Sequence, residues 1–158
     1  MNVTDEVEGW LVGWASRTGG SVQMHQGGVC TFTADGLPVQ LTLSEENQWL
    51  LMAAIALDED LTAHPSAALE LLRYAHLGER THRCGVSLAA TGRAVIWHWL
   101  STQALDITRL ENSLNGFIAT AVDVRQTLHS ALGATPGQRH DDSGSPEVLV
   151  AALGAMRA

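Results

Sequence analysis

Apolar positions recur at helical spacing in three parts of the chain. Val7, Leu11 and Trp14 continue a stripe that begins at Val3, and the acidic residues of this segment lie in its early turns, where a helix dipole favours them. A second helix is predicted after Pro65, over residues 67–77. A third, long helix is predicted from Asp106, a capping residue, to about Gly133.

Between these helices the apolar period changes from helical spacing to the alternation of β-strands. Residues 29–34 and 38–44 flank an Asp-Gly turn and predict an antiparallel hairpin. Residues 48–57 are apolar on both faces, which is typical of a central strand. Residues 84–90 and 93–102 predict a second hairpin, and 21–25 is compatible with a further short strand.

The resulting order of elements is α-β-β-β-α-β-β-α, which predicts an α+β fold: a twisted antiparallel sheet with three helices. Residues 1–133 form one predicted domain. Residues 134–146 have no apolar periodicity and predict a flexible linker. Residues 147–158 form a C-terminal tail whose apolar positions are compatible with a short helix, either docked on the domain or ordered by a partner.

The middle helix carries two apolar stripes instead of one. Leu69 and Leu72 belong to the first stripe, and Leu71 and Tyr74 to the second. A helix with two such stripes is expected to be covered on two sides. In a domain of this size, a second copy of the chain is the natural second cover, so the helix predicts a homodimer.

Composition excludes several classes of function. The 158-residue chain has nine Arg, no Lys and 17 acidic residues, which gives a net charge of −8. The absence of Lys excludes a P-loop and a Schiff-base lysine, and the acidity disfavours nucleic-acid binding. No apolar run is long enough to cross a membrane, and the N-terminus lacks a signal-peptide pattern, so we expect a cytoplasmic protein without a membrane partner.

Candidate chemistry is sparse. Cys30 and Cys84 lie in no CxxC pair, so two reduced, buried thiols are expected. His82 and Cys84 are too few ligands for zinc, and no cofactor or metal site is predicted. A thiol nucleophile paired with one of the scattered His residues would make the chain a small enzyme, but no local signature supports this alternative.

The order of elements resembles that of the class I type III secretion chaperones of Gram-negative bacteria, the Tir chaperone (CesT-like) family. The resemblance covers residues 3–132. It is carried by the strands within 28–43, the apolar strand 49–57, the leucine-rich helix 68–77, and the closing helix 107–132 with Phe117 at its middle. These segments contain no catalytic signature.

The resemblance implies a homodimer without catalysis that holds the N-terminal region of a secreted effector in an extended state, with the secretion ATPase as a further partner. Strand addition would supply affinity, and pockets for alternate side chains would supply selection. The implied effector-binding residues are Trp10, Trp14, Met24, Phe32, Leu41, Leu43 and Trp49. The implied dimer interface consists of Leu69, Leu72, Arg73, His76 and Leu77. The alternative of another class is a small α+β scaffold or regulatory domain that binds a folded partner.

Overall fold

The computed structural model describes residues 3–18, 20–25, 27–44, 46, 48–76, 81 and 83–133. The predicted linker 134–146, the tail 147–158 and Leu77 lie outside the described residues. The helices are α1 (Val3–Thr18), α2 (Pro65–Tyr74) and α3 (Ile107–Ala131), and a 3-10 turn spans Leu61–Ala63. The strands are β1 (Val22–His25), β2 (Val29–Ala34), β3 (Leu37–Leu43), β4 (Trp49–Leu57), β5 (Gly85–Leu88) and β6 (Ala94–Ser101).

All six strands form one antiparallel sheet in the order β1-β2-β3-β4-β6-β5. This confirms the predicted α+β fold and adds β1 as a fourth strand before α2. The strand β4 is central, as its apolar sequence predicts. β1 and β5, four residues each, form the edges, so each offers one unpaired row of backbone groups.

Strand alternation divides the sheet into two faces. On β4, Leu50, Met52 and Ala54 point to the inner face and pack into the main core beneath the helices. Leu51 and Ala53 point to the outer face, which carries a smaller apolar cluster. The main core therefore lies between one face of the sheet and the helices.

Local signals in the sequence determine where the long helix begins and ends. The Asp106 side chain accepts a hydrogen bond from the backbone N–H of Arg109 at 2.7 Å, which caps the N-terminus of α3. Gly133 adopts a φ of 73° just after the helix, a conformation that favours glycine. Between them Leu114 and Phe117 are almost fully buried, so α3 is a main component of the core. Among the described residues, no helix is both long and apolar enough to span a bilayer.

Candidate functional site

A groove lies between the N-terminal half of α1 and the inner face of the sheet; we call it the α1 groove. Its unfilled space, including the open mouth, is about 250 Å³. The lining is apolar apart from one carboxylate, and it consists of Val7, Glu8, Leu11, Met24, Gly28, Cys30, Leu41, Leu43 and Leu50. A groove of this kind fits apolar side chains of a bound segment rather than a polar small molecule.

The strand register explains why these residues meet. Met24 pairs with Cys30, and Cys30 pairs with Leu41, so the three side chains form one row across the inner face. Leu43 and Leu50 form the neighbouring row. Helix α1 covers these rows from above with the stripe that the sequence predicts, and the groove remains where the helix and the edge strand separate.

Gly28 shapes the floor of the α1 groove. Its φ is 71°, and a Cβ atom there would lie 3.2 Å from the Cβ of Leu43. Its carbonyl accepts a hydrogen bond from the backbone N–H of Leu43 at 3.0 Å. The turn between β1 and β2 therefore lies in close contact with β3, and this close approach requires glycine.

The predicted effector-binding residues are distributed over two faces of the sheet. Met24, Leu41 and Leu43 line the α1 groove itself. Trp14 and Phe32 are buried next to it, with their rings edge-to-face and 5.1 Å apart at the centroids.

Trp10 is partly buried on α1 and packs against the edge of the core. Trp49 pairs with Ser101 and lies on the outer face, where 47% of its surface is exposed. It is therefore separated from the α1 groove by the sheet. Trp99 lies diagonally across from it on β6 and is exposed to a similar degree, so an aromatic patch marks the outer face.

Sequence reasoning missed several residues of the α1 groove, including Val7, Glu8, Cys30 and Leu50. Cys30 and Leu50 were expected only as core, because nothing in a strand pattern distinguishes a side chain beneath a helix from one beneath a groove. The available signal for Glu8 is its position directly beside Val7, which places a carboxylate at the flank of the apolar stripe.

Four of the five predicted dimer residues are described, three of them on α2 and His76 just after its end. Leu69, Leu72, Arg73 and His76 are all exposed, whereas Leu71 faces the core. The exposed fractions are 47% for Leu69 and 69% for Leu72. Their spacing of three and four residues places them side by side. The α2 face, as we call these four residues, is thus an apolar strip with a cationic end.

Beside the α2 face, an open groove separates α2 from the C-terminal half of α3. Its unfilled space on the same measure is about 1020 Å³, and its walls include Leu69, Arg73 and Ala131. Arg73 donates to the carboxylate of Glu70 within this groove. The groove is wide and open to solvent, so it adds surface to the α2 face without forming an enclosed pocket.

Both cysteines are buried, and both thiols are protonated at neutral pH. Burial raises the pKa of the Cys30 thiol to about 12, with a smaller contribution from the negative charge of Glu8. Burial likewise raises the pKa of Cys84 to about 11. Very little thiolate is present at neutral pH under these conditions, which disfavours the thiol-nucleophile alternative. No group of three or more metal-ligating side chains occurs within the described part of the chain.

Comparison with known protein families gives a match that covers most of the sequence. The profile of the Tir chaperone protein (CesT) family matches residues 11–125. No curated protein matches the chain by sequence.

Several solved structures share the fold. The ExsC-ExsE complex superposes with a TM-score of 0.62 at 20% identity and covers 81% of this chain and 97% of that chain. The HopA1-SchA chaperone-effector complex gives 0.59 at 16% identity, with 78% and 95% covered. The Yersinia pestis type III secretion chaperone SycH, in complex with a stable fragment of YscM2, gives 0.54 at 19% identity, with 73% and 97% covered.

Proposed function

The chain belongs to the Tir chaperone protein (CesT) family, and from this membership we propose that it is a type III secretion chaperone. It binds the N-terminal region of one or more secreted effectors in an extended, secretion-competent state. The observation that carries the proposal is the family match over residues 11–125, which includes the C-terminal half of α1, the whole sheet and most of α3. That three similar folds occur in complexes, one of them described as chaperone-effector, supports it.

The α1 groove is the surface proposed to bind the effector. Met24 is 37% exposed at its mouth, while Leu41 and Leu43 form its buried floor. An extended segment that runs along β1 would pair with its free backbone edge and place alternate side chains in the groove. Trp10 would extend the apolar surface along α1, whereas Trp14 and Phe32 are buried beside the groove and would support it from within the core. Trp49, on the outer face, would meet only an effector that wraps around the domain.

The α2 face is proposed to join two copies of the chain. A symmetric interface brings the same patch of each protomer together, so Leu69 and Leu72 of both copies would leave water at once. Arg73 and His76 would lie at the rim of this contact, and Leu77 stays a predicted member of the interface. The exposure of two leucines on one helical face is the observation that supports this assignment.

The proposed activity is binding without catalysis or a cofactor, in the cytoplasm. The family is a family of chaperones, and the raised pKa values of both thiols are consistent with this. The net charge of −8 keeps a protein with exposed apolar grooves soluble and disfavours nucleic acid as a partner. The secretion ATPase is a further proposed partner, to which the loaded chaperone would deliver its effector.

The test is co-purification from a Gram-negative host that carries a secretion system, with the chain tagged at its N-terminus. We expect a secreted protein to be recovered, and limited proteolysis to leave an extended segment of its N-terminal region protected. Met24→Glu should abolish recovery because it places a charge at the mouth of the α1 groove. Val12→Glu is the matched control, since Val12 is exposed on α1 and does not line the groove. Recovery of an intact folded partner, unaffected by Met24→Glu, would instead support a scaffold.

A further inference from the structure

The α1 groove contains one feature that apolar packing does not explain. Among its described lining residues, Glu8 is the only one that carries a charge. Its side chain is half-buried on α1 and lines the same groove as Met24 at the mouth and Leu43 on the floor. A carboxylate that loses part of its hydration at an apolar surface is unfavourable unless a cation or hydrogen-bond donor compensates it.

No side chain in the described part of the chain offers such compensation. Its ion pairs are Arg17 with Glu111, Arg73 with Glu70, and Arg93 with Asp58, and none involves Glu8. Arg17, the arginine of α1, is therefore already engaged with α3. The side-chain hydrogen bonds of the described residues do not include Glu8 either.

The surroundings of Glu8 add negative charge rather than offsetting it. Asp5 and Glu6 lie on the turn of α1 that precedes it. The negative charge of Glu8 also extends to the floor of the groove, because it contributes to the raised pKa of Cys30. The mouth of the groove thus combines an apolar surface with a negative charge that no described side chain pairs with, which is complementary to a cation beside an apolar side chain.

We propose that Glu8 is a specificity-determining residue of the α1 groove: it binds the guanidinium or ammonium group of a basic effector residue, while an apolar effector residue two positions along the chain packs against Met24 and Leu43. The ligand is therefore a polypeptide segment that carries an apolar–basic pair. This inference rests on the proposed function, since it concerns the same groove. It adds a chemical criterion for which segments the groove accepts.

The geometry favours an extended ligand for this pair. In a strand added beside β1, side chains two positions apart face the same side of the sheet, so an apolar residue directed into the groove and a basic residue two positions along both face α1. A long Arg or Lys side chain can lay its aliphatic stem over Met24 and place its charge near Glu8. A charge-assisted hydrogen bond at a partly desolvated position is stronger than a typical surface ion pair.

The test uses short random peptides displayed as a library and selected on the immobilised wild-type chain. Selected peptides are synthesised with a fluorescein label, and their binding is measured by fluorescence anisotropy. The expected peptides contain Arg or Lys two positions from an aliphatic residue. Met24→Arg abolishes their binding, because it repels the basic residue and removes the apolar contact. Selected peptides that bind Met24→Arg as tightly as the wild type, or a library that yields no binder, would overturn the proposed groove and the inference with it.

The specific role of Glu8 is tested by Glu8→Gln, with Glu6→Gln as the matched control. Both residues lie on α1, are half-buried and lose one negative charge on substitution, but only Glu8 lines the groove. Glu8→Gln is expected to weaken binding of the basic peptide about tenfold, the scale of one hydrogen bond to a charged group. Glu6→Gln should change it less than about twofold, as for a screened surface charge.

A double-mutant cycle completes the design. Replacing the basic peptide residue by Gln should weaken binding to the wild type by the same factor, and should cause no further loss with Glu8→Gln. High ionic strength should bring wild-type binding toward that of Glu8→Gln. Equal losses for Glu8→Gln and Glu6→Gln, or undiminished binding by Glu8→Gln, would overturn the inference and leave the groove proposal standing.

Discussion

The double substitution Leu69→Ala/Leu72→Ala is predicted to convert the proposed dimer into monomers without unfolding the domain. Both side chains are exposed in the protomer, by 47% and 69%, so their truncation removes little from the core. Truncating a fully buried leucine to alanine removes about 2 kcal/mol of transfer free energy. We scale this value by the exposed fraction of each leucine and count both protomers of a symmetric interface. The free energy of dimer association should then weaken by about 5 kcal/mol, which raises the dissociation constant by more than three orders of magnitude.

Sedimentation velocity over a wide range of protein concentration measures this effect directly. The wild type is expected to sediment as a dimer, and the double variant as a monomer with an unchanged circular dichroism spectrum. The control is Val12→Ala/Ile107→Ala, which truncates two aliphatic side chains that are 50% and 38% exposed elsewhere on the surface. A double variant that dimerises as tightly as the wild type would refute the assignment of the α2 face. A wild type that remains monomeric would refute the homodimer.

Two further predictions concern stability. Gly85→Ala should destabilise the domain by about 1–3 kcal/mol in urea unfolding, because the new Cβ would lie 2.2 Å from ring atoms of Trp97. The control is Gly116→Ala, which should stabilise α3 because the new Cβ meets no atom within 4 Å. Equal stability of the Gly85 variant and the wild type would contradict the packing described. Because burial raises the pKa of Cys30 from about 9 to about 12, the unfolded chain releases the thiol proton first, and the free energy of unfolding should fall as pH rises between these values. In urea unfolding at several pH values, Cys30→Ala should show a smaller fall than the wild type, and an unchanged slope would contradict the role of this thiol.

The sequence was sufficient to predict most of the fold because its signals are local. Asp106 caps α3 as predicted, the Asp-Gly turn at 35–36 joins β2 and β3, and the two faces of β6 separate as alternation requires, with Val95 in the outer cluster and Ile96 in the core. The strand β1 was the weakest of the predicted elements. Its residues, Val-Gln-Met-His, alternate apolar and polar, but a run of four is at the lower limit of what alternation can indicate.

The site was harder to predict because it is made by contacts between distant segments. Glu8 and Leu43 meet only after α1 has packed across the sheet, and a helical stripe predicts which face is buried without predicting which strands lie beneath it. Trp49 illustrates the same limit. Its place in an apolar strand is evident from the sequence, but the face it occupies depends on register, and a shift of one residue exchanges the two faces.

The shape of the α1 groove explains why a chaperone of this design would function as a dimer. The α1 groove is narrow and most of its lining is buried, so an effector gains little contact area there and each groove alone supplies modest affinity. In a dimer joined through the α2 face, an effector that reaches both grooves binds the second one as an intramolecular step, at a high effective concentration. Affinity for a long unfolded segment can then be large although each contact is weak. Weak individual contacts also let the segment dissociate stepwise, as delivery to a secretion apparatus requires.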